Sequence, residues 1–365
     1  MKILFLIPYP VGESPSQRFR FEQYFDALAA SGHTFRIHTF FSAAGWNVLY
    51  SKGNSLGKIL AVAAGFLRRL RTLLSLGSFD IVFIHREAAP FGPPVFEFLI
   101  TRVFGKKVIY DFDDAIWMTD KPSEGSFDRM IRWRSKVGTI CRWSYKVSCG
   151  NEFLCNYAST FNANVVLNPT TIDTGYHKPM PKPAGQPVVV GWTGSHSTLK
   201  YLDEIIPALE ILDNKFPSIT FLVIANSKAS IPSLRSVRNI TWKKETEIQD
   251  LAKIDIGVMP LPNDEWSKGK CGFKALQYMA MEIPAIVSPV GVNSTIIDDD
   301  HNGMICTTTE QWVSALEKLV ADAQLRKALG IEGRKKVIAS YSVLSNTSNF
   351  LSMFERSAIT AKAIR

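Results

Sequence analysis

Cysteine is sparse and ungrouped in this 365-residue chain: Cys141, Cys149, Cys155, Cys271 and Cys306 form neither a C-x-x-C pair nor a cluster with histidine. That pattern supports no disulfide framework and no zinc site, and it fits a reducing cytoplasm. Long hydrophobic runs are also missing. The nearest, LAVAAGFL, stops at Arg68, well short of the roughly 20 residues that span a bilayer. The opening MKILFLIPYPV is interrupted by Pro8 and Pro10 and is followed by no small-residue cleavage pattern, so it reads as a buried first strand and not as a secretory signal. Neither G-x-G-x-x-G nor G-x-x-x-x-G-K-[ST] occurs, which weighs against a dinucleotide-dependent dehydrogenase and an ATPase.

What is present is an excess of positive charge, unevenly placed. The formal net charge is +9; residues 1–170 hold 20 Lys+Arg against 13 Asp+Glu, and the remainder holds 22 against 20. Much of the excess lies in GKILAVAAGFLRRLRTLLSLG and RMIRWRSKVGTICRWSYK. Both are amphipathic in helical register, and they suit either an anionic membrane surface or ordinary surface helices with snorkelling arginines. Nucleic acid is disfavoured, because no motif for it is found and no basic run is free of apolar neighbours.

Apolar runs alternate with helical patterns along most of the chain. KILFLIP, FRIHTF, IVFIH, KVIYD, KVSCG and NVVLN read as strands, with a helix expected near residues 17–30 and others between. Val/Ile-rich strands alternating with helices predict a parallel sheet covered on both faces. Residues 168–187 then hold five prolines and two glycines without sustained apolar periodicity, which marks a linker. The rhythm restarts at VVVGW, with a helix expected over residues 198–215 and strands at ITFLVIA, NITWKK, IDIGVMP, AIVSP and GMIC. The fold class is therefore α/β: two Rossmann-like αβα domains, 1–170 and 188–342, joined by a linker at 171–187 and expected to face one another across a cleft. A last helix, expected over residues 343–361 within a terminal segment 343–365, is free to pack back on the first domain.

Two stretches carry candidate chemistry. In VVVGWTGSHSTLKYL, Gly194 and Ser195 end a strand and open a helix, a turn that suits phosphate although ordinary glycine turns are common. In GKCGFKALQYMA, Lys270 and Lys274 flank a helix start near Gly272, where the helix dipole already makes positive charge unwelcome. Together with Gln277 they point cations and an amide past a helix N-terminus, as a diphosphate with a hydroxylated group beyond it would require. Solvated surface lysines are the bland alternative.

Residues 270–306, KCGFKALQYMAMEIPAIVSPVGVNSTIIDDDHNGMIC, resemble the donor-binding segment of the retaining glycosyltransferase group 1 family. That family's usual wording is E-x-F-G-x-x-x-x-E-A-M-A-x-G-x-P-V-I, followed by a glycine-rich turn and an acidic residue before N-G. The tandem αβα layout resembles the GT-B architecture over nearly the whole chain. The resemblance implies a donor site comprising Gly194, Ser195, Trp242, Lys243, Lys270, Cys271, Gly272, Phe273, Lys274 and Gln277, with the ribose near Gln277 and the base near the backbone of Trp242 and Lys243. Both family glutamates are absent, Gly269 and Gln277 standing at their positions. The usual Arg and Lys for the diphosphate are missing too, and Lys270 and Lys274 are expected to replace that charge.

In the first domain, KKVIYDFDDAIW resembles the family's strand ending in a histidine-aspartate pair, with Asp113 in the histidine's place and Asp114 following. Three carboxylates at Asp111, Asp113 and Asp114 near a strand end imply a polar task or helix capping. His85 ends another strand and is either a satisfied structural residue or catalytic. Arg18 and Arg20, in the loop after the first strand, are candidates for an anionic acceptor or for surface salt bridges.

The implied activity is transfer of a sugar from a nucleotide-diphosphate donor to an acceptor hydroxyl, with no cofactor and no metal. A glycan or lipid-linked acceptor of the cell envelope, and a cytoplasmic site peripheral to the inner membrane face, follow from the family and the basic first domain. A UDP-sugar epimerase of the same fold and a binding-only protein with a decayed site remain open as alternatives.

Overall fold

A computed structural model describes residues 1–50, 53–119, 125, 130–182 and 185–355. Strand β1 (Lys2–Ile7) illustrates why the chain folds as it does: Ile3 through Ile7 are all fully buried. A continuous apolar run of this kind is stable only with helices on both faces of the sheet. β2 (Thr34–Thr39), β3 (Ile81–His85), β4 (Lys107–Phe112), β5 (Lys146–Cys149) and β6 (Val165–Leu167) complete a parallel sheet in the order β2-β1-β3-β4-β5-β6. The aromatic rings of Phe5, Phe21 and Phe83 pack together in its core, the Phe5 and Phe83 centroids 4.9 Å apart.

A second parallel sheet contains β7 (Val189–Gly194), β8 (Thr220–Ala225), β9 (Val237–Thr241), β10 (Ile256–Met259), β11 (Ala285–Val287) and β12 (Met304–Ile305), ordered β12-β11-β10-β7-β8-β9. Trp192, Leu209, Val223, Val258 and Leu316 lie in its core. Edge strand β9 has no buried residue, its five being half-buried or exposed, as suits an edge that faces water.

The chain divides into two compact units. Unit 1 comprises residues 1–150, 154–168 and the chain from Asn346; unit 2 comprises 151–153 and 169–345. The terminal segment docks on unit 1 by stacking Phe350 on Tyr24 at 4.4 Å, and Asn349 Nδ2 donates to the carbonyl of Leu167 at 3.0 Å.

Four expected helices differ from the sequence reading. The stretch 17–30 is broken into Pro15–Arg18, Glu22–Tyr24 and Phe25–Ala30, because Gln17 turns inward to bond Tyr9 and Arg20 is drawn into the core. Residues 198–215 form a 3-10 segment, His196–Glu204, and then a helix Ile206–Lys215 with Pro207 in its first turn, since proline belongs in a first helical turn and not in an interior. The basic stretch 129–146 is interrupted at Trp133, whose φ is +48°, and its regular helix is Lys136–Trp143. The terminal helix runs Val343–Ser352, and residues 356–365 lie outside those described.

Candidate functional site

In each sheet the strand order reverses at one point: between β1 and β3 in unit 1, and between β7 and β10 in unit 2. Ligands of open parallel sheets bind outside the carboxyl ends of the strands at such a point. The two stretches singled out in unit 2 are the loops that leave β7 and β10 there.

After β7, Ser195 and Thr198 form a reciprocal cap, the Ser195 amide donating to Thr198 Oγ1 at 3.1 Å. The next amide, of His196, donates to Asn226 Oδ1 beyond β8 at 2.7 Å. Gly194 is required because a Cβ there would overlap the Trp192 indole. Past β9, the Trp242 amide donates to the Ala225 carbonyl at 2.9 Å while Lys243 is exposed. Ser195, Asn226 and Trp242 thus stand at the ends of three adjacent strands.

After β10 comes Gly272, whose φ is +68° and whose added Cβ would overlap Ile296. This left-handed residue bends the chain into helix Phe273–Ala280. Leu276, Met279 and Ala280 face the core, as their i, i+3, i+4 spacing directs. Lys270 and Lys274 are both half-buried. The Lys270 ammonium lies 4.7 Å from the Trp266 ring centroid, and that of Lys274 lies 5.5 Å from the Trp192 centroid. Both ammonium groups therefore lie over indole rings. Cys271 and Phe273 are half-buried beside them, and the Cys271 thiol is 3.8 Å from the Gly269 carbonyl. Asn151 Nδ2 donates to the carbonyls of Lys268 and Lys270 at 3.1 and 3.0 Å and steadies this loop.

Gln277, expected near the ribose, is 3% exposed and its Nε2 lies 3.3 Å from Nε2 of the buried His177. Arg334 fixes the same region by donating to the carbonyls of His177 at 2.9 Å, Thr174 at 3.2 Å and Ala280. Neither His177 nor Arg334 is marked in the sequence by spacing or pattern. The helix ends through Glu282, whose φ is +57°, at the position where the family wording has glycine.

Unit 1 gathers His85, Arg86, Asp111, Asp113 and Asp114 at the ends of β3 and β4. Asp111 is fully buried and accepts from Arg20, from His85 Nδ1 at 2.8 Å and from Ser148 Oγ at 2.5 Å. Burial pushes its carboxyl up, but the Arg20 guanidinium and His85 together hold it well below the ordinary carboxylate range. An ionised Asp111 must receive the Nδ1 proton of His85, which leaves Nε2 toward Ser16 Oγ at 3.4 Å.

Arg20, expected on the acceptor side or in a surface salt bridge, is held inside this network. It is 1% exposed and its guanidinium also donates to the Asn168 carbonyl and to Ser148 Oγ, the latter at 3.3 Å. Arg18 is half-buried, its guanidinium 4.9 Å from the Phe19 ring. Asp113 and Asp114 are half-buried and both bind Arg86, at 2.9 and 3.3 Å. Burial raises the Asp113 carboxyl, while Arg86, His85 and Arg20 outweigh it and hold it below its ordinary value. Among the described residues no cluster of His, Cys, Asp and Glu is arranged to hold a metal ion.

Residues 187–322 match the family described as "Glycosyl transferases group 1". No curated protein sequence matches the chain. Among solved structures, sucrose-phosphate synthase from Thermosynechococcus elongatus superposes with a TM-score of 0.69 at 13% identity, covering 97% of this chain and 98% of that one. HepE from Anabaena, in complex with UDP and glucose, gives 0.67 at 13% identity over 97% and 99%. A glycosyltransferase from Rickettsia africae gives 0.67 at 14% identity over 96% and 97%. Residues 187–322 are thus similar to the group 1 glycosyltransferases, and the two parallel six-stranded sheets have the GT-B fold.

Proposed function

We propose that the chain transfers a sugar from a nucleoside-diphosphate donor, with uridine as the base, to an acceptor hydroxyl, and that the anomeric configuration is retained. The carrying observation is the loop after β10, where Gly272 opens helix Phe273–Ala280 between Lys270 and Lys274, each laid on an indole. Departure of the nucleoside diphosphate builds negative charge. Two fixed ammonium groups and a helix N-terminus oppose that charge without reorganising. Uridine is supported by HepE, whose structure holds UDP and glucose on the same fold. In this reading Ser195 and the backbone of Trp242 and Lys243 complete the donor site. Gln277 reaches the ribose only by sharing its amide with His177.

Retention by same-face attack, assisted by the departing phosphate, needs no dedicated base. Asp113 and Asp114, held by Arg86, then accept hydrogen bonds from sugar or acceptor hydroxyls. The depressed Asp113 carboxyl stays ionised at neutral pH and suits that accepting role. His85 is fully buried, so it orders the loop at Ser16 rather than touching substrate. A glycan or lipid-linked acceptor of the cell envelope, and a cytoplasmic site peripheral to an anionic membrane, fit the basic excess of residues 1–170.

The test is incubation of the full chain with a panel of UDP-sugars and candidate acceptors, with the product anomer read by NMR. Transfer with retained configuration is expected. An isomerised donor formed without acceptor would convict the reading in favour of an epimerase.

A further inference from the structure

Helix Ser55–Ser75 is mounted with its leucines outward. Leu60, Leu70 and Leu74 are 59%, 52% and 89% exposed, and Leu56, Ile59 and Leu67 are exposed with them. At about 100° per residue these six side chains fall within an arc of roughly 100°. The inward face instead carries Gly65, Arg69 and Thr72, all buried. Arg69 locks that rotation by donating to the carbonyls of Ala88, His38 and Ile7 at 2.6, 2.8 and 2.8 Å. A Cβ on Gly65 would overlap the Phe40 ring. Turning the leucines inward would strip a buried guanidinium of three acceptors, so the apolar stripe stays on the outside.

Its length is about 27 Å at 1.5 Å per residue from Leu56 to Leu74. The adjoining segment, joined to it through Phe66 and Phe96 at 6.0 Å, also exposes Val95, Phe98 and Val103. Every charged residue of helix Ser55–Ser75 is a cation: Lys58, Arg68, Arg69 and Arg71.

We propose that this face lies on an anionic lipid surface, the leucines entering the acyl boundary and the exposed Arg71, which flanks the stripe, meeting the headgroups. This deepens the peripheral reading given above, but it rests on the helix and not on catalysis. A second copy of the chain fits less well. Leu56, Leu60, Ala63, Leu67, Leu70 and Leu74 follow a heptad seam, yet its flanks are Gly57, Ala64 and Arg71 on one side and Ile59, Phe66 and Leu73 on the other. A paired zipper would want opposite charges there, whereas an amphipathic helix with cations and no anions is what a negative bilayer attracts. Among the described residues no helix is long and apolar enough to cross a membrane, so the attachment is to one leaflet.

The test is co-sedimentation of the full chain with vesicles of equal parts phosphatidylglycerol and phosphatidylcholine, against vesicles of phosphatidylcholine alone. Binding to the anionic vesicles is expected, with the triple variant Leu67→Gln/Leu70→Gln/Leu74→Gln bound about tenfold less. Its thermal midpoint should stay close to that of the wild type, because Leu67, Leu70 and Leu74 are 47%, 52% and 89% exposed. Wild-type protein that ignores anionic vesicles, or a folded triple variant that binds them as well as the wild type, overturns the proposal. A dimer that the triple variant splits, without vesicle binding, overturns it in favour of a second copy. Transfer to a water-soluble acceptor, assayed in parallel, judges the transferase reading separately.

Discussion

The phenolic oxygen of Tyr278 lies 2.9 Å from the amide nitrogen of Thr193 and accepts its hydrogen, while donating to the carbonyl of Val258 at 3.4 Å. β7 and β10 pair only at Val190–Ile256 and Gly191–Gly257. Beyond that the strands part, and one buried hydroxyl bridges the gap at the reversal point of the sheet. Burial pushes its pKa up, against the pull of the Thr193 amide.

Tyr278→Phe therefore leaves the Thr193 N–H buried without that acceptor. Stability should fall by about 1–3 kcal/mol, read as a lower urea midpoint at unchanged slope. An unchanged midpoint would mean that the bridge contributes nothing.

Glu282→Gly should stabilise the protein. Glu282 ends helix Phe273–Ala280 at φ +57°, a conformation that costs a side-chain-bearing residue roughly 1–2 kcal/mol. Glycine gives back part of that in lost chain entropy, so a net gain of about 0.5–1 kcal/mol is expected in the same denaturation experiment. A loss of stability would show that the Glu282 side chain supports the turn.

Asp111→Asn removes the anion from a fully buried network. Arg20 would be left with a neutral partner, and a loss of about 3–5 kcal/mol is expected. The pH dependence follows from a depressed carboxyl. Its contribution is fully present above the unfolded-state value of about 3.9 and fades as pH falls below that toward the folded-state value. The variant's stability should accordingly change less than the wild type's in acid. Parallel acid curves for the two proteins would refute the assignment.

Asp113→Asn tests the unit-1 site. Donor affinity should stay within about twofold of wild type while the rate of transfer falls roughly tenfold or more, the scale of a lost contact to a reacting hydroxyl. Full activity would return Asp113 to a structural partner of Arg86.

Inner strands such as β1, β3, β8 and β10 were legible in the sequence because each is buried on both faces, which writes itself as an unbroken apolar run. The loop proposed to hold the donor stood out in the sequence through its local wording from Lys270 onward. Less legible was anything decided by residues far apart in the chain. Arg20 reads as a surface cation until Asp111, 91 positions later, takes its charge. Helix Ser55–Ser75 reads as amphipathic, but its rotation is set by where the carbonyls of Ile7, His38 and Ala88 lie, and periodicity cannot see them. Pro207 did mark a helix start, and the 198–215 reading ran the helix through it.

Calorimetric titration of UDP into the wild type and into the double variant Lys270→Ala/Lys274→Ala tests the donor site most directly. Charge-assisted contacts to a diphosphate contribute about 1.5–3 kcal/mol each, so affinity should drop by at least roughly tenfold, with the ligand-free thermal midpoint little changed. Equal affinity in the two proteins would contradict the account.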